Sequence, residues 1–545
     1  MKELHVEYKT LREIFDHSVV KYAANKSFSQ IKGVSYTFAE LGAKIRQLAV
    51  LLSSCGVAKG DKIVLFSGSQ PNWPVAYLAA TCTARTVVPL LPDFTAFELA
   101  NIIEHSEAKH ILISKRLYYK LSDAVKAILK TVIILDDFTV EKAEDRTESD
   151  YDPFADEKMR PVPEDVASII YTSGTSGQSK GVMLTHSNLV HQLAMEEDMF
   201  FVKEDDVFLS ILPLSHAYEC SLGMLYPFKN GASVVYLNGA PNPSLLMPAL
   251  AKVKPTIMLS VPLIVEKIYK NKIRPIFAKN FFMQWMYGVP IVRRAVHKVA
   301  GKKLYEMFGG RLRFFGIGGS KLDSMVERFL HDARFPYAIG YGLTETAPLI
   351  AGTTPDTVVF QSTGKAVKGI ELKINHPTKE GIGEIVVKGP NVMKGYYKDP
   401  ERTRQVLSED GWFRTKDLGQ FDSKGNLHIK GRVDNMIVGA SGENIYPEEI
   451  ESVINENDFV SESLVVQIKG KLVAKVYFNY EQIEKIHHFS GTSKKITAKV
   501  EEIKKEIMQY VNEKVNKFSQ ITAIYEQTIP FEKTATQKIK RYLYR

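Results

Sequence analysis

Between Tyr171 and Gly181 the chain reads Tyr-Thr-Ser-Gly-Thr-Ser-Gly-Gln-Ser-Lys-Gly, directly behind the apolar run Val166–Ile170. Gly174, Gly177 and Gly181 permit sharp turns that aim backbone N–H groups inward. Thr172, Ser173, Thr175 and Ser176 add hydroxyl donors, and Lys180 adds positive charge. Together these are the parts of a phosphate-binding loop. It is not a Walker A loop, because Gly181 follows Lys180 where that motif needs a glycine before its lysine. A plain Ser/Gly linker would have no strand ahead of it.

Six further segments carry comparable chemistry. They are Leu212-Pro-Leu-Ser-His216-Ala-Tyr-Glu219, Gly316-Ile-Gly-Gly-Ser320, Tyr341-Gly-Leu-Thr-Glu-Thr346 and Gly411-Trp-Phe-Arg-Thr-Lys-Asp417. Then come Gly431-Arg-Val-Asp434-Asn-Met-Ile437, running on to Gly442-Glu-Asn-Ile-Tyr-Pro-Glu-Glu-Ile450, and finally Thr534-Ala-Thr-Gln-Lys538-Ile-Lys-Arg541. In this order, over nearly the whole chain, the segments resemble the acyl-adenylate-forming (AMP-binding) superfamily, and within it the long-chain fatty acid CoA ligases.

The resemblance implies ATP, Mg2+ and coenzyme A as reaction partners of a fatty acid. The acid is first converted to an acyl-adenylate with release of pyrophosphate, and the CoA thiol then displaces AMP. The first step brings two anions together, which near 4 Å costs on the order of 4 kcal/mol at an effective dielectric near 20, so cations must offset it. By resemblance, Lys538 bridges carboxylate and α-phosphate, Glu345 holds the magnesium, Thr344 donates to the α-phosphate, and the loop from Thr172 to Lys180 wraps the outer phosphates. Asp417 accepts both ribose hydroxyls, Arg432 reaches ribose or phosphate, and Tyr341, beside Gly342, stacks on adenine. Gly318, Gly319 and Ser320 let the base lie against backbone. His216 borders the acyl carboxylate and the pantetheine outlet; it needs no base role, since a carboxylic acid arrives ionised near pH 7.

Asp434 matches the family's hinge, which implies a body of residues 1–433 with the adenylation site and acyl pocket, and a mobile C-terminal domain, 434–545, carrying Lys538. One orientation would present Lys538; the other would withdraw it and turn the segment around Gly442 toward the pantetheine channel. The chain departs from the pattern twice. Gln537 stands where a glycine commonly precedes the catalytic lysine, and Lys416 where a glycine commonly precedes Asp417.

Other adenylate formers stay open: aryl-acid CoA ligases, ligases that deliver acyl-AMP to a carrier protein, and amino acid activators. The last generally pair the substrate amino group with an aspartate, for which there is no clear candidate between His216 and Val261. A reading of another class, a non-catalytic lipid-binding or membrane scaffold, gives Lys538, Glu345 and Asp417 nothing to do.

The elements that must position these residues are legible as patterns. Short apolar runs, Lys62–Phe66, Ile111–Ile113, Val132–Leu135, Ala167–Ile170, Val207–Ile211 and Ser233–Leu237, alternate with helical stretches. That is the signature of layered α/β architecture. Thr37 and Glu40 form a capping box ahead of a helix running to Ser54. The acidic stretch Glu141–Lys158 is expected as a surface loop. From Gly364 to His428 short β segments alternate with glycine turns, predicting a β-rich closing subdomain. Glu448–Asn455, Leu464–Tyr480 and Thr497–Val515 predict helix, strand pair and helix in a compact α+β unit.

At 545 residues and 45% apolar content the chain supports more than one core. It contains no apolar run of membrane-spanning length, and charges from Lys2 onward argue against a secretion signal. A cytoplasmic protein is expected, with Cys55, Cys82 and Cys220 as scattered thiols without metal-ligand spacing. Of the net charge of +9, little lies after Asp434, where 16 Lys/Arg meet 15 Asp/Glu. The densest basic run, Lys267 to Lys303, holds no acid and encloses the aromatic Phe281–Tyr287. That suits either peripheral contact with an anionic membrane surface, at the inner face of a membrane, or a solvated face around packed aromatics. No recognition motif accompanies the run, so nucleic acid is not an expected partner.

Overall fold

A computed structural model describes residues 4–148, 151–173, 179–239, 241–277, 289–439, 443–487, 493–534 and 538–544. Two large sheets dominate the first 400 residues. The eight-stranded sheet runs in the order Gly395–Tyr396, Ser179–Thr185, Val166–Ser173, Thr86–Leu90, Lys62–Phe66, His110–Ile113, Thr131–Ile134, Val140–Ala143. The five strands from Val166–Ser173 to Thr131–Ile134 are parallel. Most of their residues are apolar because both faces are covered. Along Lys62–Phe66, Ile63 and Leu65 enter one core while Val64 and Phe66 enter another. This is the period-two alternation of a strand buried on both sides, and each such side chain contributes roughly 1.5–3 kcal/mol by leaving water.

The nine-stranded sheet runs Lys365–Ala366, Leu349–Gly352, Tyr337–Gly342, Phe314–Ile317, Ile257–Ser260, Val207–Ser210, Ser233–Tyr236, Lys26–Gln30, Ser35–Thr37. Helices fill the space between the two sheets. Among them is Phe38–Ser54, whose N-terminus carries the Thr37–Glu40 capping box in both directions. Thr95 with Glu98 and Thr185 with Asn188 build the same device at two further helices. A four-stranded antiparallel sheet, Glu371–Asn375, Gly383–Lys388, Phe413–Phe421 and Leu427–Arg432, forms the expected β-rich unit.

From Pro447 the chain builds a helix, Pro447–Ile454, then a sheet of Val460–Ile468, Lys471–Phe478 and Ala523–Gln527, with the helix Ser493–Lys514 packed on it. This unit has its own apolar core around Ile450, Val476, Ile503 and Val511. The layered α/β reading, with a β-rich unit and a small α+β unit, is therefore what the chain adopts. One expectation needs correction. Glu141–Lys158 is not loop throughout: Val140–Ala143 pairs antiparallel with Thr131–Ile134 and ends the sheet, its polar residues suiting an edge strand. The three cysteines are buried and unpaired. No helix among the described residues is long and apolar enough to cross a membrane.

Candidate active site

The phosphate-loop segment is flanked by two strands that pair with each other. Val166–Ser173 and Ser179–Thr185 pair antiparallel, with Thr172 opposite Lys180 and Ser173 opposite Ser179. The strands therefore extend further into the motif than the composition suggested. Gly174, Thr175, Ser176 and Gly177 lie outside the described residues, as does Gly442. The Oγ1 of Thr172 is buried and has no hydrogen-bond partner among the described residues, which leaves a donor that an anionic oxygen would satisfy.

Lys180 does not project alone. Its Nζ donates to Glu345 Oε1 at 2.6 Å and to the Tyr396 hydroxyl at 2.8 Å. Tyr396 in turn donates to the same Glu345 oxygen at 2.9 Å. Tyr396 arrives through the short edge strand Gly395–Tyr396, which pairs Tyr396 with Val182, two residues beyond Lys180 on the same face. Sequence reasoning missed Tyr396; the only signal was a Gly-Tyr-Tyr string of no distinctive chemistry. Burial pushes the Glu345 carboxyl up, but the charge and hydrogen bond of Lys180 outweigh it, and the group stays below the ordinary carboxylate value. Glu345 is thus a fixed anion at a buried site.

Glu345 sits in a tight turn, Thr344–Thr346, just after the strand Tyr337–Gly342. Thr344 is buried in that turn. Gly342 is required by packing: a Cβ there would stand 1.8 Å from the Pro348 carbonyl oxygen. In the Gly316–Ser320 segment, a Cβ on Gly318 would meet the Tyr218 ring at 3.4 Å and the Gly340 carbonyl at 3.5 Å, while Gly319 takes φ +92°. Ser320 lies exposed beyond it.

A second cluster faces the first. Asp417 and Arg432 are directly opposed across two antiparallel strands, with Arg432 Nε 3.3 Å from Asp417 Oδ1. The Tyr341 hydroxyl donates to Asp417 Oδ2 at 2.8 Å. Burial raises the pKa of Asp417, against the pull of Arg432 and Tyr341. Lys416, immediately before it, takes the left-handed conformation, φ +60°. That conformation explains why a glycine is common at this position.

Lys538 comes to this place from the far end of the chain. Its N–H is held by Thr534 Oγ1 at 3.2 Å, and its carbonyl accepts from the Thr534 N–H at 2.8 Å. The residue remains exposed on its open side, while its ammonium stands in crowded surroundings. Desolvation first, and then the charge of Arg432, draw its pKa below the usual lysine value; Asp417 and Glu345 oppose that. His216 belongs to the same constellation: burial, and then the Lys538 charge, pull its imidazole down to about 4. It is therefore neutral at pH 7, and its Nδ1 accepts from the Tyr218 N–H at 3.3 Å. Arg541 anchors the Lys538 segment through an ion pair with Glu451. Gln537 lies outside the described residues.

The site unites Lys180, His216, Tyr341, Glu345, Asp417, Arg432 and Lys538 in one field of alternating charge. The donor set fits Mg2+ in the mode that ion prefers with nucleotides, one protein carboxylate with phosphate and water supplying the rest. Glu345 offers one buried carboxylate, and no group of three or more His, Cys, Asp or Glu side chains suited to a metal occurs among the described residues.

The basic run is partly consumed by the fold. Lys270 and Arg274 contact the C-terminal unit, and Arg293 and Arg294 lie 3.4 and 3.8 Å from Asp332. The aromatic Phe281–Tyr287 lies outside the described residues.

The chain belongs to the AMP-binding enzyme family, whose model matches residues 15–397. It is 31% identical over 462 residues to a long-chain-fatty-acid–CoA ligase of Mycobacterium bovis, covering 79% of this chain and 75% of that protein. It is 28% identical over 550 residues to fatty acyl-CoA synthetase A of Dictyostelium discoideum, covering 92% and 81%. In structure it is similar to ATP-bound MatB from Rhodopseudomonas palustris, with TM-score 0.77 and 22% identity over 98% of each chain. It is also similar to the O-succinylbenzoate coenzyme A synthetase of Bacillus subtilis in complex with AMP, with TM-score 0.76 and 21% identity over 98% of each.

Proposed function

We propose that this protein activates a long-chain fatty acid with ATP, forming acyl-AMP and pyrophosphate, and then transfers the acyl group to coenzyme A. The observation that carries the reading is the convergence of Lys538 with Asp417, Glu345 and His216 from four distant parts of the chain. A scaffold has no physical use for it. The long-chain substrate follows from the likeness to relatives named for that activity.

In the first step a fatty carboxylate oxygen attacks the α-phosphorus, and the bond to the pyrophosphate oxygen breaks. The ammonium of Lys538 offsets the approach of the two anions, and its lowered pKa reflects a desolvated charge whose field is little screened. Asp417, held by Tyr341 and Arg432, is oriented to accept from the ribose hydroxyls. Lys180 and the Thr172 hydroxyl serve the outer phosphates. Magnesium, held by Glu345, would neutralise charge on the phosphates. Neutral His216 leaves the carboxylate ionised and lines its approach. In the second step the CoA thiolate sulfur attacks the acyl carbon and AMP leaves with the electron pair of the C–O bond. That step requires Lys538 to withdraw, which is why residues 434–545 are read as a mobile unit turning at Asp434, with Gly442 moving toward the thiol's path.

We further propose a cytoplasmic protein that touches an anionic membrane surface through the helix Pro290–Met307. There Ile291 and Val299 are 78% and 65% exposed among Lys298, Lys302 and Lys303. Co-sedimentation with phosphatidylglycerol vesicles, and not with phosphatidylcholine vesicles, tests this.

The activity is tested by pyrophosphate release from ATP and Mg2+ across fatty, aryl and amino acids, with and without CoA. A peak with long fatty acids and formation of acyl-CoA supports the proposal. Release with aryl or amino acids moves the substrate class, release without CoA transfer points to a carrier-protein acceptor, and silence across the panel contradicts enzymatic turnover.

A further inference from the structure

Away from the cleft, the C-terminal unit meets the large body at a second place. The turn after the helix Pro447–Ile454 presents Asn455, Glu456 and Asp458. Against it stand Lys270 and Arg274, on the helical stretch that continues Pro262–Ile268, and Ser324, the first residue of the helix Ser324–Asp332. Lys270 Nζ donates to the Asn455 carbonyl at 3.2 Å, and the Arg274 guanidinium donates to the Glu456 carbonyl at 3.4 Å. Arg274 also forms an ion pair with Asp458, both side chains being 27% exposed. Ser324 Oγ donates to Glu456 Oε1 at 2.8 Å.

This contact has the features of a set position. Arg274 uses one guanidinium for a charge-assisted hydrogen bond to a carbonyl and an ion pair with a carboxylate, two contacts where a loose surface pair has one. Glu456 is fixed from its own side: its Oε2 accepts from the Tyr510 hydroxyl at 2.7 Å and from Lys514 Nζ at 3.1 Å, so it reaches Ser324 as part of a rigid surface. Both partners in the large body lie on helices that follow strands of the nine-stranded sheet. Ser324 follows the Gly316–Ser320 turn by four residues, and Arg274 follows the strand Ile257–Ser260 through one continuous helical run.

We infer that Arg274 and Asp458, seconded by Ser324 and Glu456, are positioning residues. They hold the C-terminal unit in the orientation that presents Lys538 to the cleft, and they must part when that unit turns for thioester formation. The inference rests on the two-orientation reading proposed above. Arg274 touches neither substrate nor reacting atoms; it acts through the placement of Lys538.

The test is a double-mutant cycle in the full-length protein, Arg274→Met, Asp458→Asn and both together. Each half-reaction is assayed separately: ATP–pyrophosphate exchange with a long-chain fatty acid, and acyl-CoA formation from supplied acyl-AMP and CoA. Each single substitution is expected to slow exchange by about tenfold, the scale of one charge-assisted contact, with the thioester step unchanged or faster. The double variant should be no slower than either single, because the two residues act as one contact. Equal losses in both half-reactions, multiplying losses in the double variant, or no loss in exchange would each overturn the inference. Ser324→Ala, which removes only a hydroxyl, should reproduce the selective loss on a smaller scale; if the charge variants fail to fold, its failure to do so decides against the inference. Lys538→Ala run in parallel separates the two ideas. If Lys538→Ala splits the half-reactions and the Arg274 and Asp458 variants do not, the positioning role of this contact alone is wrong. If Lys538→Ala slows both equally, the two-orientation reading falls and the positioning role of the contact with it.

Discussion

Lys416 Nζ lies 3.7 Å from Asp434 Oδ1, joining the residue before Asp417 to the residue read as the hinge. The lysine reaches it from a left-handed backbone, φ +60°, a conformation that costs a non-glycine residue roughly 1–2 kcal/mol. Its side chain is half exposed, so the pair itself is worth less than about 1 kcal/mol. Lys416→Gly should therefore change stability by no more than about 1 kcal/mol, strain relief offsetting the lost pair and the looser unfolded chain. The effect belongs in the balance of steps, with thioester formation accelerated relative to adenylation. Urea unfolding and separate half-reaction rates check both parts.

Lys538→Ala removes the cation that faces both Asp417 and Glu345. Acyl-AMP formation is expected to fall by about 10²–10³, as when a preorganised electrostatic group is lost. Supplied acyl-AMP should still react with CoA to within a few-fold of wild type. Rapid-quench measurement of each step checks this.

Asp417→Asn keeps the shape of the site and removes the charge that Arg432 and Tyr341 orient. The loss of charge-assisted hydrogen bonds predicts ATP binding weakened by about 10- to 100-fold. Calorimetric titration with ATP reads this directly, and an unchanged affinity would contradict the ribose assignment.

Burial pushes the Glu219 carboxyl up to about 8, against the hydrogen bond that Ser210 Oγ gives it at 2.5 Å. Glu196 is likewise raised to about 8 by burial. The unfolded chain ionises such groups near 4.5, so between that value and about 8 the folded state holds protons that the unfolded state has released. Their contribution to stability is complete below about pH 4.5 and is lost as pH rises through about 8. Glu219→Gln removes one of the two groups and should reduce this pair's loss by about half. Denaturant midpoints measured from about pH 5 to 9 read that slope, and an unchanged slope would contradict a buried neutral Glu219.

Much of this was legible in the sequence because local rules and tertiary demands agree. The run Lys62–Phe66 is apolar because both faces are covered, and Thr37 with Glu40 closes its capping box as spaced. Asp417, Tyr341, Arg432 and Lys538, read from separate motifs, stand in one cluster. Other relationships were hidden because they depend on register and long-range packing. Tyr396 meets Lys180 only because a two-residue edge strand pairs beside it. Arg274 and Asp458 stand far apart in a chain whose basic run looked like a surface feature, and only the docking of two units makes them partners. The polar Val140–Ala143 reads as loop because an edge strand with one open side has little apolar pattern to show.

The central claim is acid activation through an adenylate, and the most direct measurement is mass-spectrometric detection of acyl-AMP after mixing the purified protein with a long-chain fatty acid, ATP and Mg2+ without CoA. The account predicts acyl-AMP in amounts comparable to the protein, discharged to acyl-CoA and AMP when CoA is added. Absence of acyl-AMP under those conditions, with ATP and the acid both present in excess, would contradict it.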